Sequence, residues 1–296
     1  MHKNYQGGVI PRLAVVNSLA GYGRCSSVLA LPVISVLGVQ PCLLPTAILS
    51  SHLGFPGCYQ EDFTPHMEPY LHAWESIGLT FDGLYCGFLK NETQADTIRK
   101  ILSGPMMNSK GSLGRSLFLL DPVMGDHGKL YTSVNDGQID AMRRLASYAD
   151  ILTPNLTEAC LLAGQPYCDT LWEEKELSLL CERIAHKSQL PDSGIILTGL
   201  ERSGQYRNFI WDKGTSYILD VPSAGSAHHG TGDLFASIVA ASSLKGDSLL
   251  SSVRKACDFI SLCIRQTEIC HVPPQEGVLL EKCLSALLPP AEFNEI

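Results

Sequence analysis

The segment "SLFLLDPVMGDHGKLY", Ser116–Tyr131, shows the pattern that decides the fold. A short apolar run has the length of one buried strand, and it ends at Asp121 and Pro122, which do not continue it. Gly125 and Gly128 predict a mobile loop after the strand. A carboxylate at the end of a buried strand favours a binding role for this loop, and the alternative is a polar surface loop.

The same pattern recurs along the chain, where short apolar runs alternate with segments of helical period. Such an alternation predicts a mainly parallel sheet covered by helices on both faces, which is a three-layer α/β/α sandwich. In these sheets ligands bind beyond the carboxyl ends of the strands. Polar residues close five of the runs and are candidates for that edge: Ser18, Thr46, Asp121, Thr153 and Thr198.

The last third of the chain predicts an edge hairpin and then helices. Residues 206–221, "YRNFIWDKGTSYILDV", form two strand patterns joined by Asp212-Lys213-Gly214. Helices are expected over Thr231–Leu244 and Leu249–Thr267, with a shorter one near the end. Since no repeat, low-complexity tract or linker interrupts the chain, we expect residues 1–296 to form a single domain without a separate lid.

Composition excludes several classes of protein. A formal charge of −8, with no run of Lys and Arg, argues against a nucleic-acid-binding surface. The eleven cysteines lie in apolar stretches without a CxxC pair, which is typical of reduced thiols in a cytoplasmic protein. The uncharged stretch 26–51 is interrupted by three prolines and Gly38, so it predicts a buried helix leading into a strand, not a membrane span.

The sequence "HGTGDLFAS" places a glycine turn directly before a helix. If the helix begins there, the backbone N–H groups of Gly230, Thr231 and Gly232 converge and bind a developing negative charge. Asp233 then lies in the first turn, where a carboxylate can take a proton from a substrate hydroxyl as a phosphoryl group arrives. The alternative is an ordinary glycine turn with a helix-starting aspartate.

Two further groups of polar residues suit a metal and phosphates. Asn155 and Glu158 in "ILTPNLTEACLLAG" are three residues apart and share one face of a helix start. They suit a hydrated magnesium on nucleotide phosphates, whereas the alternative is a capping box, and both roles are compatible. In the 121–131 loop, Asp121 and Asp126 suit a metal ion, and Lys129 suits phosphate oxygens.

Taken in order, these motifs resemble the ribokinase-like superfamily of small-molecule kinases and, within it, the pyridoxal kinases. The resemblance extends over nearly the whole chain. "DPVMGD" followed by "GKLY" is fairly specific for the vitamin kinases, whereas "GTGD" is shared more widely. The motifs that carry it are "NSLAGYG", "LSSHLGF", "DPVMGDHGKLY", "TPNLTEA", "ILTG" and "HGTGDLFAS".

The resemblance implies ATP-dependent phosphorylation of the 5′-hydroxymethyl group of pyridoxal and related B6 vitamers. Asp233 would be the catalytic base, and Gly230, Thr231 and Gly232 the anion hole. Magnesium would be required, and the use of a monovalent cation is left open. A homodimer paired through the sheet edge is also implied.

The resemblance also assigns binding residues by position. The vitamin would contact Ser18, Thr46, His52 and Tyr131, together with Asp233. ATP would contact Asp121, Asn155, Glu158, Thr198, Gly199 and Thr231. The metal would lie at Asp121, Asp126 and Glu158.

Three departures from the family pattern touch the vitamin pocket and the nucleotide-side loop. They are residues 24–27, "RCSS", then Pro45 before Thr46, and the pair His228–His229, which we expect to be loop residues. One alternative is a hydroxymethylpyrimidine kinase, but those enzymes typically have Cys at the position of Asp233. Sugar kinases usually lack the threonine of "GTGD" and often add a lid. A non-catalytic protein that binds a vitamer or nucleotide is the alternative from another class.

Overall fold

The computed structural model describes residues 10–108, 115–168, 172–190, 192–202 and 204–288. Within them, nine strands form one sheet and two short strands form a separate ladder. The strands are β1 (Arg12–Ala20), β2 (Gln40–Leu49), β3 (Gln60–Asp62), β4 (Gly83–Cys86), β5 (Leu117–Leu120), β6 (Gly125–Asp126), β7 (Lys129–Leu130), β8 (Ile151–Leu152), β9 (Gly194–Arg202), β10 (Gln205–Asp212) and β11 (Thr215–Pro222).

The large sheet has the order β11-β10-β9-β8-β5-β4-β1-β2-β3. Its six central strands run parallel, and β3, β10 and β11 are antiparallel additions at the two edges. The predicted parallel sheet with an edge hairpin is therefore confirmed. Lys213 and Gly214 both have positive φ, as a type I′ hairpin turn requires. The short polar strand β3 was not predicted, because three residues show no period.

Helices cover both faces of the sheet. One large hydrophobic cluster joins the sheet to α2 through α6, and a second large cluster joins it to α1, α7 and α8. The predicted three-layer α/β/α architecture is thus confirmed. The helices are α1 (Ser26–Val36), α2 (Thr64–Ser76), α3 (Glu92–Ser103), α4 (Asp136–Ala146), α5 (Leu156–Ala163), α6 (Glu174–Ala185), α7 (Thr231–Leu244) and α8 (Leu249–Ile269).

The proline-interrupted stretch folds as α1 followed by β2, as predicted. None of the helices in the described residues is both long and apolar enough to cross a bilayer. The short helix expected near the C-terminus was wrong in type, because Pro274–Glu276 and Leu284–Leu287 form 3₁₀ turns instead. Pro273 and Pro274 lack the N–H groups that a longer helix would need.

The chain order of the strands creates a crevice. From β1 the chain moves to β2 on one side and then to β4 on the other, so the direction of winding reverses beside β1. A reversal of this kind opens a crevice at the carboxyl ends of the two strands. Asn17 lies in β1 and Gly87 directly follows β4 at this point. The start of α7 also reaches it, because the Asn17 amide contacts Asp233.

Candidate active site

The glycine turn before α7 is held in a conformation that only glycine adopts readily. Gly230 is the N-cap residue, with φ of 82°. A Cβ atom at this position would collide with the carbonyl oxygen of Arg24. In contrast, a Cβ atom on Gly232 would meet open space. The turn therefore brings the start of α7 against the segment that leads into α1, and Asp233 follows in the first turn as predicted.

Both carboxylate oxygens of Asp233 accept hydrogen bonds from other parts of the chain. Asn17 Nδ2 donates to Oδ1 over 3.0 Å, and the backbone N–H of Ser26 donates to Oδ2 over 2.7 Å. Ser26 is the first residue of α1, so the carboxylate lies at the positive end of that helix. Burial raises the pKa of Asp233, and these two hydrogen bonds oppose that rise. The arrangement suits an oriented general base.

Neither Asn17 nor Ser26 was predicted to contact Asp233. Asn17 did carry a signal, because it is a polar residue inside the apolar run of β1, and a buried amide needs partners. Ser26 carried none, since its left-handed φ of 50° is invisible in the sequence. That conformation aims its N–H at the carboxylate.

Asp121 follows β5 at the same edge of the sheet. Thr153, which follows β8, donates its hydroxyl to Asp121 Oδ1 over 3.0 Å. Burial raises the pKa of Asp121 to about 7, and the negative charge of Asp233 adds to the rise. The structure therefore brings these two predicted carboxylates close enough to repel each other.

Asn155 and Glu158 form the capping box that was one of the two sequence interpretations. Asn155 Oδ1 accepts from the N–H of Glu158 over 3.0 Å, and Glu158 Oε2 accepts from the N–H of Asn155 over 2.9 Å. Glu158 Oε1 also accepts from the N–H of Met124, and Asn155 Nδ2 donates to the Gly125 carbonyl. The pair thus ties α5 to the 121–131 loop. Burial and the charge of Asp121 raise the pKa of Glu158 well above its usual range.

The 121–131 loop contains a short β ladder that was not predicted from the sequence. Its strands β6 and β7 pair, and Thr157 Oγ1 accepts from the N–H of Gly128 over 2.9 Å. Asp126 is exposed on this ladder, and its carboxylate contacts His127. Tyr131 is 44% exposed, yet burial of its hydroxyl and the charges of four carboxylates, Glu158 foremost, raise its pKa. Tyr131 therefore faces the acidic groups, whereas the Asp126 carboxylate lies largely in solvent.

On the other side of Asp233, Ser18 and Thr46 are buried. The hydroxyl of Ser18 donates to Ser26 Oγ over 3.0 Å. Thr46 is completely buried, and its Oγ1 has no hydrogen-bond partner among the described residues. Its carbonyl accepts from Gln94 Nε2 over 2.8 Å. An unpaired buried hydroxyl is costly, so a ligand atom that pairs with it would be favoured.

His52 is fixed by protein contacts on both ring nitrogens. Its Nδ1 accepts from the N–H of Gly54 over 3.0 Å, so Nε2 carries the proton and donates to the Gln275 carbonyl over 2.5 Å. The ring also lies 4.6 Å from that of His229, measured between centroids. His228, the other half of the histidine pair, is buried, and its Nε2 contacts Glu268 over 3.3 Å. Both histidines lie in the loop before α7, as expected, with His229 exposed and His228 buried.

The remaining nucleotide-side residues, Thr198 and Gly199, lie within β9, which continues to Arg202 although Thr198 was expected to close the strand. Thr198 forms an isolated parallel bridge with Asn155, which places the two predicted residues side by side. Gly199 has φ of 69°, and a Cβ atom there would meet nothing within 4 Å. In the part of the chain that the structure describes, no three His, Cys, Asp or Glu side chains form a group that could hold a metal ion. Asp121, Asp126 and Glu158 therefore do not form a closed metal cage.

Comparisons with known proteins agree with this geometry. The family model described as phosphomethylpyrimidine kinase matches residues 87–274. A putative phosphomethylpyrimidine kinase from Bacteroides thetaiotaomicron has a crystal structure that is 31% identical, with a TM-score of 0.88, over 98% of both chains. A second crystal form from that organism, with pyridoxal, has a TM-score of 0.86 over 96% of this chain and 98% of the other.

Pyridoxal kinases are also similar to this chain. The crystal structure of the enzyme from Lactobacillus plantarum is 25% identical, with a TM-score of 0.85, and covers 95% of this chain and 97% of its own. The pyridoxine/pyridoxal/pyridoxamine kinase of Bordetella avium is 28% identical over 268 residues, which are 83% of this chain and 81% of the relative. The chain therefore belongs to the phosphomethylpyrimidine kinase family and has the ribokinase-like fold of the pyridoxal kinases.

Proposed function

We propose that this protein is a pyridoxal kinase, which transfers the γ-phosphoryl group of ATP to the 5′-hydroxymethyl group of pyridoxal and related B6 vitamers. The observation that carries the proposal is the Asp233 carboxylate, hydrogen-bonded on both oxygens beside the glycine turn of α7. A carboxylate there suits an alcohol acceptor, which must lose a proton. The pyridoxal-bound structure of a relative with the same fold supports the choice of acceptor.

In the proposed reaction, Asp233 accepts the proton of the substrate hydroxyl as its oxygen attacks the γ-phosphorus of ATP. The new O–P bond forms while the bond from phosphorus to the leaving oxygen of ADP breaks. The N–H groups of Thr231 and Gly232, and of Gly230 before them, stabilise the charge on the transferring group. No covalent enzyme intermediate is required, and positioning supplies most of the rate enhancement.

A divalent cation fits the acidic side of the site. Asp121 and Glu158 are buried and repel each other, and no described Lys or Arg forms an ion pair with either. Buried carboxylates without a positive partner favour a cation. We infer that Asp121 and Glu158 hold hydrated Mg²⁺ in part through water, with Asp126 contributing from the loop. When bound, Mg²⁺ would neutralise charge on the phosphates of ATP.

The remaining binding roles are proposed on the same basis. Thr46, with its unpaired hydroxyl, and Ser18 would contact the vitamin ring, with His52 and Tyr131 at the rim. Asn155, Thr198 and Gly199 would contact the nucleotide, as would Thr231. The homodimer, the cytoplasmic location and the single domain over residues 1–296 stay predictions, and light scattering at micromolar concentration tests the first.

The test is incubation of the protein with ATP, Mg²⁺ and a mixed panel of acceptors, followed by mass spectrometry. The panel contains pyridoxal, pyridoxamine, pyridoxine, hydroxymethylpyrimidine and ribose. The proposal predicts phosphorylated B6 vitamers. Phosphorylated pyrimidine alone would instead support the second candidate, a hydroxymethylpyrimidine kinase, which is considered because the matching family is named for a kinase of a related pyrimidine. No phosphorylated product would support a non-catalytic binding protein.

A further inference from the structure

Asn17 is a buried polar residue at the point where the winding of the sheet reverses. Its side chain makes three hydrogen bonds and has no exposed surface. Nδ2 donates to Asp233 Oδ1 over 3.0 Å, and Oδ1 accepts from the N–H groups of Ser18 and Phe88 over 2.8 and 3.2 Å. One amide thus joins β1, the segment after β4, and the start of α7.

The backbone around Asn17 is shaped to fit its amide. A Cβ atom on Gly87 would lie 2.5 Å from Asn17 Nδ2 and 2.9 Å from Cγ, far closer than atoms pack. Only glycine at position 87 therefore leaves enough space for the Asn17 side chain. Gly87 thus provides the space for a side chain of this volume, and the hydrogen bonds to Ser18, Phe88 and Asp233 require that it be an amide.

The contacts also determine which way the amide faces. Two backbone N–H groups point at one end of the Asn17 side chain, and a flipped amide would set its NH₂ group against both of them. Oδ1 must therefore face Ser18 and Phe88, and Nδ2 must face Asp233. Asn17 is consequently an obligate hydrogen-bond donor to the carboxylate.

We propose that Asn17 is a positioning residue for the phosphoryl transfer, which fixes the Asp233 carboxylate against the start of α1 and stabilises its ionised form. This inference rests on the proposed function. Ser26 supplies the second point of attachment through its N–H, so the carboxylate is held from two elements. With each oxygen accepting one hydrogen bond, each keeps a lone pair for the substrate hydroxyl.

Several titratable side chains also face Asp233. Asp121 approaches from the end of β5, Tyr85 from β4, Tyr131 from the segment after β7, and Cys25 from the residue before α1. Burial raises the pKa values of the thiol and both phenols, so these three groups stay neutral at physiological pH. Asp121 is the one carboxylic acid among them, and Asn17 hydrogen-bonds to Asp233 but to none of these four groups.

The test compares Asn17→Ala with Asn17→Asp in the full-length protein. The aspartate keeps the acceptor atoms for Ser18 and Phe88 but replaces the donor with a carboxylate, so it separates support of the backbone from the contact with Asp233. We expect Asn17→Ala to lower kcat/KM for pyridoxal about 10-fold to 100-fold at pH 7, mainly through kcat. The acidic limb of the pH profile of kcat/KM should move up by about one pH unit, because Asp233 loses one hydrogen-bond donor to its ionised form.

For Asn17→Asp the acidic limb of the kcat/KM profile should move further, because the new carboxylate would lie directly beside that of Asp233 and repel it. A KM for ATP close to the wild-type value is expected for both variants. If both variants lose thermal stability while the acidic limb stays where it is, Asn17 supports only the backbone and the inference is wrong.

A second readout does not depend on turnover. Carbon-13 NMR of labelled aspartate carboxyl groups follows the titration of Asp233, with Asp233→Asn identifying its signal. The inference predicts a higher midpoint in Asn17→Ala than in the wild type, and equal midpoints would contradict it. If wild-type protein phosphorylates nothing in the acceptor panel while the midpoint still moves, the proposed function fails and the contact of Asn17 with Asp233 stands.

Discussion

The two acidic sides of the site are built differently. Asp233 receives one donor on each oxygen, from β1 and from the start of α1. Asp121 receives a single hydroxyl from Thr153, and it faces two other carboxylates, Asp233 and Glu158. The oxygens of Glu158 are taken up by backbone N–H groups of the capping box and the loop.

This difference indicates what stabilises the negative charge on each side of the site. Two hydrogen-bond donors of the protein oppose the rise that burial causes in the pKa of Asp233, so the proposed base is oriented before substrate arrives. On the Asp121 side the described residues leave the charge uncompensated, and a cation bound with the nucleotide would supply what is missing. The protein's own donors therefore hold the Asp233 carboxylate, whereas the Asp121 carboxylate would be stabilised only when the nucleotide and its cation bind.

The largest effect on stability is expected from the turn that supports Asp233. Gly230→Ala places a side chain at positive φ against the carbonyl of Arg24, and should lower the free energy of unfolding by about 2–3 kcal/mol. Gly232→Ala is the matched control, because its Cβ atom meets open space, and should stay within about 0.5 kcal/mol of wild type. Urea denaturation measures both. Equal losses would show that the contact with Arg24 does not hold the turn.

The second prediction is a gain in stability, and it concerns removal of the Asp121 carboxylate. The folded pKa of Asp121, about 7, lies above its value in the unfolded chain, so the folded state holds the proton longer. Stability is therefore lost as pH rises from about 4 to about 7. Asp121→Asn should remove this loss in magnesium-free buffer, with a gain about 2–3 kcal/mol larger at pH 8 than at pH 5.

Asp126→Asn is the control for that measurement, because the Asp126 carboxylate is exposed on the β6–β7 ladder. It should show no such dependence on pH. A gain for Asp121→Asn that is the same at both pH values would mean that the carboxylate is already neutralised by the protein, and the contrast between the two sides would disappear.

The fold could be predicted because its determinants are local. Buried parallel strands such as β4 and β5 consist of continuous apolar residues, and Asp121 follows β5 at the edge where the site lies. The starts of α5 and α7 were also recognisable from "TPNLTE" and "GTGD". Each of these signals lies within a few residues of the structure that it predicts.

The organisation of the site depended on contacts that are distant in the chain. Asn17 and Asp233 are 216 residues apart, and no local pattern joins them. The left-handed backbone of Ser26 has no sequence signature, since serine is common at helix starts in ordinary conformations. The β6–β7 ladder of the 121–131 loop was missed for a related reason, because its strands are too short to show a period and Thr157, which bonds to Gly128, lies 29 residues away.

The role of Asp233 as the base in pyridoxal phosphorylation is the central claim, and one comparison tests it most directly. Wild-type protein and Asp233→Asn are each mixed with saturating ATP, Mg²⁺ and pyridoxal, and the formation of pyridoxal phosphate is followed over time. The account predicts rapid product formation by the wild type and a rate at least about 100-fold lower for the variant, with ATP binding retained. Equal rates in the two proteins would contradict it.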